Sequence, residues 1–265
     1  MSELRKAKMN RIDQAFIDKK KDLLNVYFTA GYPNLNDTLE IAKGIEKGGA
    51  DLIEIGIPFS DPVADGPTIQ ESSTKALASG MTLKLLFEQL KDLRKDVTLP
   101  VLLMGYINPV MQYGFEAFCQ KCQEVGVDGL ILPDLPMYEY EEMYKAVLEK
   151  YGLYNVFLIT PQTSEERIRK IDELSKGFIY MVSSASTTGA KSGISEEQIE
   201  YFERVKAMNL KNKLLIGFGI SNHETFSKAC SYADGAIIGS AFIKLVTVDA
   251  SSSNIQQYIQ SVKNP

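Results

Sequence analysis

Glu54 has the least ordinary setting of any acidic residue in the chain. It stands in Asp51-Leu52-Ile53-Glu54-Ile55-Gly56-Ile57, an otherwise apolar run of strand length. Side chains alternate across a strand, so Ile53, Ile55 and Ile57 share one face while Leu52, Glu54 and Gly56 share the other. The isoleucine face suits a layer of packed helices. Glu54 then points the other way, into the interior of a barrel. A carboxylate there is desolvated, which raises its pKa and lets it exchange protons near neutral pH. The competing reading is a structural carboxylate paired with Lys or Arg.

Two more carboxylates follow at once, in Pro58-Phe59-Ser60-Asp61-Pro62-Val63-Ala64-Asp65-Gly66-Pro67. Asp-Pro and Asp-Gly are ordinary turn chemistry. They gain interest from standing just beyond Glu54, because a loop folding back could bring a second carboxylate to the same ligand. Two carboxylates in different environments can divide the roles of proton donor and charge stabiliser. A third signal lies near the C-terminus, in Leu214-Leu215-Ile216-Gly217-Phe218-Gly219 and Ala236-Ile237-Ile238-Gly239-Ser240-Ala241. The second run passes directly into a helical pattern. Glycines let backbone N–H groups approach an anion, and a helix N-terminus adds a favourable dipole. A phosphate held by backbone amides is the ligand this pattern expects. Tyr180, in Phe178-Ile179-Tyr180-Met181-Val182, reads as a core aromatic with its hydroxyl satisfied.

The elements that must position these groups alternate between β-branched apolar runs and helical patterns, as in parallel βαβ units. Strands are expected at Leu24–Thr29, Leu52–Gly56, Val101–Met104, Gly129–Leu132, Asn155–Thr160, Phe178–Val182, Lys213–Ile216 and Ala236–Gly239. Helices are expected between them, including Leu39–Lys47, Leu83–Lys95, Glu139–Lys150, Glu165–Ser175 and Glu196–Met208. Eight strands and eight helices in 265 residues predict an α/β fold, a single (β/α)8 TIM barrel spanning residues 1–265. The charged, helix-patterned start of the chain adds an extra N-terminal helix. An open doubly wound sheet is the rival, weakened because no G-x-G-x-x-G opens the first helix. Long loops are expected from Gly56 to about Ile69 and from Ser183 to about Ile194. Both follow strand C-termini, the catalytic face of such a barrel.

Composition removes other classes of function. The net charge of -5 argues against a nucleic-acid partner or an anionic membrane. No apolar run is long enough to span a bilayer, and the N-terminus lacks an apolar signal-peptide segment, so a cytoplasmic, soluble protein is expected. Three cysteines make a disulfide framework unexpected. Cys119 and Cys122 form a C-x-x-C, readable as half a zinc site, a redox pair, or two positions on an amphipathic helix from Phe115 to Val125. No second cysteine pair accompanies them, and the chain holds 1 His, so no metal site is expected. That residue, His223, reads as part of a capped helix start. Proton transfer is therefore sought among carboxylates and tyrosines.

The run Asp51–Gln70, DLIEIGIPFSDPVADGPTIQ, resembles the signature of the tryptophan synthase alpha chain family: an acidic strand residue followed by G-x-P-F-S-D-P-x-A-D-G-P without a gap. The resemblance extends through Thr29-Ala30-Gly31-Tyr32-Pro33, Tyr106-Ile107-Asn108-Pro109, Pro133-Asp134-Leu135-Pro136, Thr188-Gly189, Gly217-Phe218-Gly219 and Gly239-Ser240. It implies a lyase that cleaves indole-3-glycerol phosphate to indole and glyceraldehyde 3-phosphate. Glu54 would be the general acid/base, Asp65 the carboxylate that holds the indole N–H, and Tyr180 a tyrosine beside the glutamate. Tyr27 and Tyr106 would flank the indole, and Thr188 would close over the aspartate. Gly189, Gly219, Gly239 and Ser240 would bind phosphate. Asp61, Pro62, Asn108 and Pro136 would lie at or near a beta subunit in an alpha2beta2 complex. The resemblance implies no cofactor in this chain and pyridoxal phosphate in the partner. Two departures fall in the second long loop, where Ser186 replaces a glycine common in the family and Ser184 an arginine found in some members.

Overall fold

A computed structural model describes residues 9–182, 195–217 and 219–264. Among these, nine strands form one sheet: β1 (Leu23–Thr29), β2 (Leu52–Gly56), β3 (Val101–Met104), β4 (Gly129–Ile131), β5 (Tyr154–Val156), β6 (Leu158–Ile159), β7 (Phe178–Val182), β8 (Lys213–Gly217) and β9 (Gly235–Ile238). Every neighbouring pair is parallel, in the order β5-β4-β3-β2-β1-β9-β8-β7-β6. The two ends of that order, β5 and β6, are consecutive in the chain and separated only by Phe157. The Phe157 carbonyl accepts from Tyr180 N–H at 2.9 Å. The sheet therefore closes through the chain itself. The fifth expected strand is present but interrupted, and an eightfold (β/α) barrel results.

The strands form because their side chains are buried on both faces, so near-continuous aliphatic runs fit them. Outward residues such as Ile53, Ile55 and Leu103 pack in the large core beneath the helices. Inward residues, among them Leu23, Leu52, Leu102, Ile131, Phe178, Leu215 and Ile237, form a second core inside the barrel. The N-terminal helix Arg11–Asp18 stoppers that inner core. Its Ile12 and Phe16 are buried there, with the Phe16 ring 6.1 Å from that of Phe178. Asn10 caps this helix by accepting from Ile12 N–H.

A recurring device holds the stoppered end. Asp51, Asp128 and Asp234 each stand just before a strand and accept the N–H of a residue in a neighbouring strand, namely Leu24, Val101 and Leu214. Each also pairs with cations: Lys19 and Lys263 on Asp51, Arg11 and Arg94 on Asp128, Lys213 on Asp234. The N-terminal helix and the C-terminal helix Ser252–Lys263 are thereby tied to the barrel floor, at the end opposite Glu54.

Several elements depart from expectation. The helix expected over Leu83–Lys95 is two helices, Leu83–Leu90 and Leu93–Asp96. Past the break, Arg94 donates to the carbonyls of Val97, Leu99 and Gly126. The helix expected from Glu139 begins at Met137 and passes through a π-helical stretch, Tyr140–Tyr144. There the buried Tyr140 packs edge-on against Phe157 at 5.0 Å. The loop after β2 ends at Gly66, because Pro67 opens a helix to Ala78. Proline suits that first position, where its missing N–H would have had no intrahelical partner.

Candidate active site

Glu54 lies opposite Tyr27 of β1 and Leu102 of β3, on the inward face of the barrel. It is 1% exposed. Its one hydrogen bond among the described residues is to Asn25, whose Nδ2 donates to Oε2 at 2.8 Å; Oε1 has no partner there. Burial pushes its pKa from 4.5 up to about 8, opposed by the Asn25 bond and aided by the nearby charge of Asp65. Glu54 is thus a protonated acid at neutral pH. Among the described residues no Lys or Arg pairs with it.

Asp65 reaches the same site from the loop after β2. It is 9% exposed, and burial raises its pKa, opposed by the Tyr106 hydroxyl. That hydroxyl donates to Asp65 Oδ2 at 3.0 Å and accepts from Ala64 N–H at 3.0 Å. The Phe59 ring lies 5.2 Å from that of Tyr106. The loop is therefore pinned to Tyr106 at Phe59, Ala64 and Asp65. Its base is fixed further where Gln70 donates to the Asp65 carbonyl and Thr29 meets Ser72 in a buried hydroxyl pair at 2.7 Å.

Tyr27 and Tyr180 complete the inner wall. Each phenol lies against a glycine at the end of the next strand, Tyr27 against Gly56 and Tyr180 against Gly217. A side chain at either glycine would occupy the space of the ring. Both tyrosines have pKa values raised by burial, with Glu54 and Asp65 adding to the rise, so both phenols stay neutral. The structure thus gathers Glu54, Asp65, Tyr27, Tyr106 and Tyr180 at one end of the barrel. Two contributors escaped the sequence reading. Asn25 carries a readable signal, as the single amide in an apolar strand two residues from Tyr27. Phe59 carries none beyond its place in the loop.

The expected phosphate glycines lie on the same rim, after β8 and β9. Gly219 takes φ +77°, the left-handed region that favours glycine. Gly239 precedes the helix Ser240–Val248, whose N-terminus has no side-chain cap. Its first N–H groups are free of intrahelical partners and suit an anion. Thr188, Gly189, Ser184 and Ser186 lie outside the described residues, as does Phe218.

The residues expected at a partner contact also share this end. Asp61 and Pro62 follow β2, Asn108 lies in the helix Ile107–Tyr113 after β3, and Pro136 follows β4. Asp61, Asn108 and Pro136 are exposed and Pro62 is half-buried. Val63, Met111, Tyr138 and Met143 are large apolar side chains exposed on the same segments. The C-x-x-C lies elsewhere. Cys119 and Cys122 are buried and free in the helix Phe115–Val125. Burial pushes the Cys119 thiol up to about 12 and Cys122 well above its usual value, which favours the protonated thiol at both. His223 hydrogen-bonds through Nδ1 with the Val262 carbonyl and begins a helix capped by Asn222.

Parallel strands closed into a ring, with a buried carboxyl group facing the interior and its pKa pushed up to about 8, define a (β/α)8 barrel with its candidate site at one end. The family model "Tryptophan synthase alpha chain" matches residues 14–264. The alpha chain of Flavobacterium psychrophilum is 61% identical over 96% of this chain and 100% of its own length, and that of Flavobacterium johnsoniae 60% over the same shares. The crystal structure of the Legionella pneumophila tryptophan synthase alpha chain superposes with a TM-score of 0.86 at 36% identity, covering 97% of both chains. The chain belongs to the tryptophan synthase alpha chain family, and is a carbon–carbon lyase of tryptophan biosynthesis.

Proposed function

We propose that this chain cleaves indole-3-glycerol phosphate with Glu54 as the acid and Asp65 as the anion that holds the indole nitrogen. Indole leaves poorly as a C3 carbanion. Protonation of C3 by Glu54 converts the ring to an indolenine-like cation, and Asp65, as a carboxylate, accepts the N1–H and stabilises that charge. The Glu54 carboxylate then removes the proton of the adjacent glycerol hydroxyl. A carbonyl forms, the C–C bond breaks, and its electrons return to the ring to give neutral indole and glyceraldehyde 3-phosphate. The observation that carries this reading is a fully buried carboxyl group inside the barrel, hydrogen-bonded only by a neutral amide among the described residues, with a second carboxyl held by a phenol in the same site.

Tyr180 and Tyr27 serve as neutral walls beside the acid, and Tyr106 flanks the indole while orienting Asp65. Thr188 closes over Asp65, and the backbone amides of Gly189, Gly219, Gly239 and Ser240 take the phosphate. Binding the phosphate away from the reacting bond supplies energy to position the ring. Residues 1–265 act as one barrel domain.

The rim around Asp61, Pro62, Asn108 and Pro136 docks a beta subunit in an alpha2beta2 complex. The pyridoxal phosphate belongs to that partner, and this chain uses no cofactor. Exposed Val63, Met111, Tyr138 and Met143 support an interface there, since clustered apolar side chains gain by being covered. No described helix is long and apolar enough to cross a membrane; we place the enzyme in the cytoplasm. The test is turnover of indole-3-glycerol phosphate to indole by the full chain, alone and with a beta subunit. Turnover that rises on addition of the partner supports the reading. Absence of indole in both arms refutes it.

A further inference from the structure

We propose that Asn25 is a positioning residue, holding Glu54 by one carboxyl oxygen and so fixing the other as the oxygen that carries the exchanged proton. This rests on the acid role of Glu54 proposed above. Asn25 is wholly buried in β1, two residues before Tyr27, and shares its inward face. Its Nδ2 donates to Glu54 Oε2 at 2.8 Å. Glu54 Oε1 is buried with no hydrogen-bond partner among the described residues.

The chemistry of a carboxylic acid makes this asymmetry useful. The carbonyl oxygen of the neutral acid is a better acceptor than its hydroxyl oxygen. An N–H fixed on Oε2 therefore selects the form with the proton on Oε1. When that proton leaves, the same bond becomes charge-assisted and strengthens, which stabilises the carboxylate product of the transfer. The donor type matters as well. A lysine at this position would ionise Glu54 outright, whereas a neutral amide leaves it protonated at neutral pH. The other groups facing Glu54 are Asp65 from the loop after β2, Tyr27 of β1, Tyr180 of β7 and the apolar Leu102 of β3. Asp65 disfavours the charged form and both phenols stay neutral. Asn25 is the one group among them that favours ionisation.

The test is the pH profile of kcat for Asn25→Ala in the full chain, over roughly pH 6 to 10. Loss of the bond should raise the alkaline limb by about one pH unit. It should also lower kcat at neutral pH about tenfold, with KM nearly unchanged. Asn25→Thr, closer in volume and too short to reach Oε2, provides a second variant if the first does not fold. An isotope-edited infrared titration of the Glu54 carboxyl reads the same shift without turnover. An alkaline limb and a carboxyl titration that stay at their wild-type positions overturn the inference. The outcome for Glu54→Gln separates the two layers. If that variant turns over normally, the acid role itself fails. If it is inactive while Asn25→Ala leaves the limb in place, only the role of Asn25 fails.

Discussion

Gly56→Ala should damage this enzyme through Tyr27, without touching Glu54 directly. A Cβ on Gly56 would fall 2.6 Å from Tyr27 Cζ and closer still to its hydroxyl, where ordinary contact begins at 3.4 Å. The ring must retreat by the difference, about 0.8 Å, or more at the hydroxyl end. Tyr27 is 5% exposed, so any retreat of the ring is taken up within the wall of the site. Overpacking of this kind costs about 1–3 kcal/mol of stability. A displacement near 1 Å beside the reacting groups costs about 100-fold in kcat/KM. Urea denaturation measures the first, and indole release from indole-3-glycerol phosphate the second. The link to Tyr27 is tested by repeating Gly56→Ala in a Tyr27→Phe background, which lacks the nearest atom. The loss should shrink there, with a coupling of about 0.5–3 kcal/mol. Wild-type stability and turnover in Gly56→Ala, or strict additivity in the double variant, would refute the reasoning.

Other expectations follow from the same geometry. Glu54 has a folded-state pKa raised from 4.5 to about 8, so between those values the native state holds a proton that the unfolded chain has released. Its contribution to stability therefore falls as pH rises through that window, and Glu54→Gln should be the more stable protein at pH 8, by on the order of 4 kcal/mol in denaturant melts. Tyr106→Phe removes the hydroxyl that favours ionised Asp65; the acid limb of kcat/KM should move to higher pH, with activity below neutrality reduced about tenfold. Asp128→Ala leaves Arg11 and Arg94 without their buried partner at the barrel floor. It should cost about 3–5 kcal/mol in chemical denaturation while folded molecules keep their turnover.

The barrel was legible because its strands are buried on both faces and read as unbroken aliphatic runs. β2, β3 and β7 fall at their expected bounds, and alternation alone turned Glu54 inward, as observed. The interruption at Phe157 was not legible, since it reflects a seam where the ring closes and Tyr140 packs from a neighbouring helix. Nor was the helix opened by Pro67, because Asp-Gly-Pro reads equally as a turn. The site divides along the same line. Glu54 announces itself as a charge in an apolar strand. Asp65 acquires its setting only through Tyr106, forty-one residues away in the chain. Asn25 was visible as an amide in an apolar strand, but its bond to Glu54 crosses between strands and needs the register.

The central claim is that the buried carboxyl of Glu54 delivers the proton that releases indole. Its most direct test is turnover of indole-3-glycerol phosphate by Glu54→Gln, with folding checked by circular dichroism and with the beta subunit present. A folded variant whose indole release falls at least about 100-fold is the predicted result. A folded variant that cleaves the substrate at the wild-type rate would contradict the account.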